Sequence, residues 1–131
     1  MTITYMNNEV RRYLIELSRQ RINQTVTYQQ LSDDCNLELD MREKPYDRKI
    51  IGKILGDISA FEHENGRPLL SSLVLRAGDN YEGDGFYKLA EELGFGNWKR
   101  LKKEGVFEIE QMKKCIDFWS NDSNYYKYKE V

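Results

Sequence analysis

The stretch PYDRKIIGKILGDISAFEHENGRPLLSSLVLR, Pro45 to Arg76, governs how this chain is read. Pro45 suits the first turn of a helix, where its missing amide hydrogen costs nothing. Ile50, Ile51, Ile54, Leu55, Ile58 and Phe61 then recur at offsets that share one helical face, so the spacing predicts a buried helix running to about Glu62. A polar turn at Glu64, Asn65 and Gly66 follows, and after Pro68 the apolar run Leu69 to Leu75 reads as a strand. The other side of the helix carries Asp47, Arg48, Lys49, Lys53 and Asp57, with Gly52 and Gly56 one turn apart. Each interior glycine costs a helix about 0.5–1 kcal/mol relative to alanine. Something should therefore approach that side closely: another helix of the same domain, or the backbone of a ligand.

Upstream, Asn7 or Asn8 can cap a helix running to about Gln20, with Val10, Tyr13, Leu14 and Leu17 on its inner face. Arg11, Arg12, Arg19 and Arg21 fall mainly elsewhere and make one flank basic, as a solvated surface or as a contact to a phosphate chain. Thr25, Val26 and Thr27 suit a short extended segment, and Thr27 can cap a short helix from Tyr28 to about Cys35. Asn36 to Lys44, with Glu38, Asp40 and Glu43 between Leu37, Leu39 and Met41, reads as a loop.

Downstream, Ala77 to Gly85 is dense in turn residues. Its spacing matches neither an EF-hand nor a phosphate loop, and its acids Asp79, Glu82 and Asp84 speak against pressing it onto a phosphate backbone. Phe86, Leu89, Ala90 and Leu93 predict a short helix stopped near Gly94 or Gly96. A second, Trp98 to Glu104, carries Lys99, Arg100, Lys102 and Lys103, the densest basic cluster of the chain. It is a solvated face or, with Trp98 beside it, a grip for an anionic partner. A last helix, Glu108 to about Trp119, turns Ile109, Met112, Cys115, Ile116 and Trp119 inward. The remainder, with Tyr125, Tyr126 and Tyr128 among lysines, reads as a polar tail, frayed or docked on a partner.

With 131 residues, 40% of them hydrophobic, the chain suits one core-forming domain, 1–119, followed by the tail 120–131. Twenty Lys and Arg against 22 Asp and Glu give a net charge of −2, so any anion-binding surface must be a local patch. Cys35 and Cys115 form no CxxC pair and His63 is the only histidine, which argues against a metal site and fits a reducing, cytoplasmic setting with free thiols. A polar N-terminus and the lack of a long apolar run predict no signal peptide and no membrane partner.

Short helix, loop, longer helix with basic outer residues, then strand is the order of winged helix-turn-helix modules, in which the second helix enters the major groove. The expected fold class is therefore α+β, mainly helical: a winged-helix-like domain with additional C-terminal helices. Val26-Thr27-Tyr28 with Leu31, Ile51-Gly52 within a helix, and Asn65 and Pro68 ahead of an apolar strand also resemble the winged-helix domain of the DNA alkyltransferase and alkyltransferase-like family. The resemblance covers roughly Val26 to Val74 and implies a DNA-associated shape. The family's proline-cysteine-histidine-arginine run is broken here, since Leu69, Leu70 and Ser71 follow Pro68. Without the thiolate and its base, alkyl transfer has no chemistry to run on. Lys49 stands where the family has an arginine three residues before the glycine, with Arg48 beside it. Gly66 to Val74 together with Gly83 to Phe86 also resembles a module recurrent in bacterial proteins.

No catalytic constellation stands out. His63, between Glu62 and Glu64, reads as an exposed residue balanced by neighbouring charge, and the carboxylates show no pairing by spacing. The expectation is a non-enzymatic protein without cofactor or metal. Duplex DNA is the expected partner, contacted through Tyr28, Arg48, Lys49, Lys53 and Arg67, with Lys99, Arg100, Lys102 and Lys103 as a secondary patch. The alternative is a protein-interaction module, immunity or regulatory in kind, whose acids from Asp33 to Glu43 and Asp79 to Asp84 meet a basic partner.

Overall fold

A computed structural model describes residues 6–77 and 82–130 of the chain. Asn7 opens α1 (Asn8–Ser18) by accepting the Val10 amide at 2.9 Å, and Thr27 opens α2 (Tyr28–Asp34) through the Gln30 amide at 3.2 Å. Pro45 occupies the first turn of α3 (Pro45–Glu64), which ends where Gly66 takes a left-handed φ of +73°. Past the turn come a 3-10 segment, η1 (Leu70–Leu73), and then α4 (Asp84–Glu92), α5 (Trp98–Glu104), α6 (Phe107–Ser120) and α7 (Asp122–Tyr128). Two short strands complete the fold: β1 (Val26–Thr27) precedes α2 and β2 (Val74–Leu75) follows η1. The protein is thus mainly helical, and none of its described helices is long and apolar enough to cross a membrane.

The strands pair in parallel, Val26 opposite Val74 and Thr27 opposite Leu75. A parallel pair cannot be closed by a tight turn, and α2, α3 and η1 form the crossover that joins it. A wing built as an antiparallel hairpin is not among the described residues, and of the loop Ala77 to Gly85, which would be the wing tip of such a module, residues 78–81 lie outside them.

The expected strand from Leu69 to Leu75 is confined to its last two residues. Leu69 to Leu75 is buried throughout, with none of the alternation that separates a half-buried strand from a buried helical turn. Side chains from α3 and α6, in place of a neighbouring strand, satisfy its backbone. Gln111 accepts the Leu69 amide at 3.0 Å, Ser59 Oγ accepts the Ser71 amide at 3.1 Å, and the Cys115 thiol donates to the Leu69 carbonyl at 3.2 Å. η1 is therefore the hub on which α1, α3 and α6 pack.

The main core joins Val10, Leu14 and Ile15 of α1 to Ile51, Leu55 and Ile58 of α3, with η1, Cys115 and Trp119 between. A second cluster, Leu69, Phe86, Tyr87, Ala90, Leu101 and Phe107, lies under α4 and α5. Arg11, grouped by spacing with the basic flank of α1, is instead 1% exposed. Its Nε donates to Glu62 at 2.8 Å, while its terminal nitrogens donate to the carbonyls of Tyr128 and Lys129. Arg19 likewise binds the Trp119 carbonyl and Asp122, with its guanidinium 3.9 Å from the centre of the Tyr125 ring. The polar tail is thus helix α7, folded back onto the flank of α1.

Candidate functional site

An open groove of about 1130 Å³ lies between α2, the 36–44 loop, the first half of α3 and the segment that enters α4. The loop wall is held firmly. Gln29 on α2 donates to the Leu39 carbonyl and accepts the Met41 amide, both at 2.9 Å, and Ser32 Oγ accepts the Leu39 amide at 3.1 Å. From α3, Asp47 accepts the Asp40 amide at 2.9 Å and Arg48 donates to the carbonyls of Met41 and Arg42. Asp40 accepts the amides of Arg42 and Glu43, and these two bonds, Glu43 first, hold its carboxyl below the usual range. A loop pinned at this density gives the groove a fixed rim.

The opposite wall starts at Gly83, whose amide donates to the Tyr28 phenol oxygen. A Cβ at Gly83 would stand 3.2 Å from that oxygen, so glycine permits the contact. Burial, with the charge of Glu82 second, pushes the Tyr28 phenol up to about 12. Glu82 itself, which the sequence places among the exposed loop acids, is fully buried with both carboxyl oxygens unpartnered. Burial first and Glu108 second push it up to about 10, so at neutral pH it is an uncharged acid. Tyr87, also buried, shares a hydrogen bond with Glu108, and burial raises its phenol further than that of Tyr28. Asp84 is held below the usual carboxylate range by its bond to Lys102, with Lys88 and Arg76 adding to the effect. Of the two acids of this loop among the described residues, one is neutral and the other is matched by cations.

The structure brings Tyr28 and Arg48 together on the groove. Lys49 and Lys53 lie on the neighbouring exposed side of α3, where Lys53 pairs with Asp57 at 3.1 Å. Arg67 is elsewhere. It is 9% exposed and donates to Glu62 at 2.7 and 3.2 Å, so its guanidinium is committed inside the protein. Lys99, Arg100, Lys102 and Lys103 are exposed on α5. His63 is half-buried with its ring 4.9 Å from Phe95, a packing contact rather than a charge balance. Among the described residues no group of three or more His, Cys, Asp or Glu is placed to hold a metal.

Gly52 lines the groove, and no atom stands within 4 Å of where a Cβ would sit on Gly52 or Gly56. Packing within the domain therefore gives no reason for either glycine. Sequence reading missed Gln29, Ser32 and Asp47 as anchors of the rim, because their partners are backbone groups of a loop whose path has no periodicity. It also missed Arg76, Gly83 and Gly85 as lining, although the glycine density there was the available signal. No family model, curated protein or solved structure matches this chain.

Proposed function

We propose that this protein binds duplex DNA without catalysing a reaction on it, in a helix-turn-helix manner in which α3 is the element laid against the nucleic acid. The observation that carries the reading is the exposed side of α3. Gly52 and Gly56 leave the helix backbone open to close approach, and Lys49 and Lys53 flank them. A bare helix surface bordered by cations suits a phosphate chain, which needs both proximity and positive charge. Arg48 and Tyr28 border the same surface from the groove. The loop beside it, read from sequence as an acidic obstacle, presents less negative charge than its composition implies, since Glu82 is neutral and Asp84 is bound to Lys102. The likeness to the alkyltransferase-like winged helix supports the same placement of α3.

A second reading has its own observation. The rim of the groove carries Asp33, Asp40 and Glu43, which would meet basic side chains of a protein partner. Measuring the purified protein against a mixed pool of duplex and single-stranded DNA, at low and near-physiological salt, separates the two. DNA binding with a steep salt dependence, abolished by Lys49→Glu with Lys53→Glu, is the expected result. Absence of binding at low salt would retire the DNA reading in favour of the acidic rim.

A further inference from the structure

We propose that Tyr46, in the first turn of α3, is the side chain that reads base identity, its ring set against the methyl group of a thymine in the major groove. This rests on the DNA reading above and deepens it, from how α3 is held on a duplex to how it chooses one.

Tyr46 is 71% exposed, and its side chain makes no hydrogen bond, ion pair or ring contact with any described residue. The turn that carries it is nevertheless fixed. Pro45 stands before it at the helix start, Asp47 accepts the Asp40 amide at 2.9 Å, and Arg48 donates to the carbonyls of Met41 and Arg42. The two residues after Tyr46 thus tie this turn to the 36–44 loop, while the ring itself projects from another side of the helix.

Successive residues turn by about 100° around a helix, so Tyr46, Lys49 and Lys53 fall within an arc of about 60°. That arc lies opposite Ile51, Leu55 and Ile58, which are buried. Gly56 and Gly52 continue the surface beyond Lys49. Bare backbone and two cations suit a phosphate chain, and at the edge of that surface stands an uncharged aromatic ring. The acid closest to the ring's line, Asp57, is about 16 Å further along the axis and bonds to Lys53 at 3.1 Å. An exposed pair of this kind is weakly held, so the Lys53 ammonium can pass to a phosphate.

A tyrosine in this place has the wrong chemistry for phosphate and the right one for a base edge. A phenol carries no charge and so releases no counterion. In the major groove only thymine presents a methyl group, which an apolar ring matches, while the hydroxyl stays free to hydrogen-bond. The N-terminal residues of a recognition helix are the ones that reach base edges, and Tyr46 is the second residue of α3.

The wild type, Tyr46→Ala, Tyr46→Phe, and Lys49→Glu with Lys53→Glu are each used to select preferred duplexes from a random pool. Each is then titrated over a range of salt into the duplex that the wild type prefers, and into copies of it with uracil in place of each thymine in turn. Because Tyr46 is exposed and unbonded, both single variants should melt with the wild type. The wild type should select thymine at one position, and uracil there should weaken its binding about fourfold, the contribution of one methyl group. Tyr46→Ala should lose that preference, bind the preferred duplex about tenfold more weakly, ignore the uracil change, and keep the wild-type slope of log K against log salt. Tyr46→Phe should retain the thymine preference. A thymine preference kept in Tyr46→Ala, or a loss in that variant that is equal on all sequences, overturns Tyr46 as the base reader and leaves the α3 reading standing where the lysine reversal abolishes binding. A wild type that binds all duplexes equally overturns it in the same way. A wild type that binds no duplex overturns both.

Discussion

Glu82 is the residue at which local sequence and folded environment disagree most. Its neighbours are polar and turn-forming, so it reads as a solvent-facing acid, yet it has no exposed surface and no hydrogen-bond partner. Glu108 of α6, Tyr87 of α4 and Tyr28 of α2, all distant or unremarkable in the sequence around it, lie close enough to interact with its carboxyl. The consequence is a stability that falls as pH rises. Below the ordinary carboxylate pKa the group is protonated whether the chain is folded or not, and it contributes no difference. Above that value the unfolded chain releases the proton while the folded chain keeps it up to about 10. Folding then loses roughly 1 kcal/mol per pH unit through that window. Glu82→Gln should abolish this dependence, so that the variant gains on the wild type steadily from pH 5 to pH 9 in urea unfolding. Parallel pH profiles for the two proteins would show that Glu82 is not held protonated.

At the scale of elements, α3 and α7 make opposite predictions. The interior glycines of α3 are helical and meet nothing, so a methyl group at either position adds no clash and reduces the freedom of the unfolded chain. Gly52→Ala and Gly56→Ala should each stabilise the protein by about 0.5–1 kcal/mol in denaturant melts while weakening DNA binding. A gain in stability with unchanged binding would remove the glycines from the interface. Helix α7 buries none of its own residues, yet the carbonyls of its last residue, Tyr128, and of Lys129, which caps it, accept from the Arg11 guanidinium at 2.8 and 2.9 Å. Deleting residues 121–131 leaves Arg11 and Arg67 with Glu62 as their shared carboxylate, an excess of buried charge. The expected cost is roughly 2–4 kcal/mol of folding stability. A truncated protein with an unshifted melting midpoint would make α7 an appendage.

Over the whole molecule, the two thiols report on global unfolding. Cys35 and Cys115 are 4% and 0% exposed, and burial pushes them up to about 11 and about 12. A thiol reagent at pH 8 should label neither in native buffer and both together across the urea transition, because the thiolate is the reactive form. Rapid labelling of Cys115 in the folded protein would contradict the packing of η1 against α6, and rapid labelling of Cys35 would contradict the burial of the end of α2. Burial of Cys115 was legible, as was most of the helical order. Pro45, the Ile and Leu spacing of α3, the caps at Asn7 and Thr27, and Gly66 are local signals that act within a turn or two of chain. Lys49 and Lys53 could be placed outside by the same periodicity. Three-dimensional packing settled the rest. It turned Leu70 to Leu73 from a strand into a 3-10 hub, because Ser59, Gln111 and Cys115 replaced a ladder that the sequence could not rule out. It drew Arg11 and Arg67 inward onto Glu62, closed α7 over them, and gathered Tyr28, Arg48 and Gly52 onto one groove. Helical periodicity and capping are written in neighbouring residues and so determine the elements. The partner of a buried charge or an orphan backbone group lies far along the chain, and only the folded structure decides it.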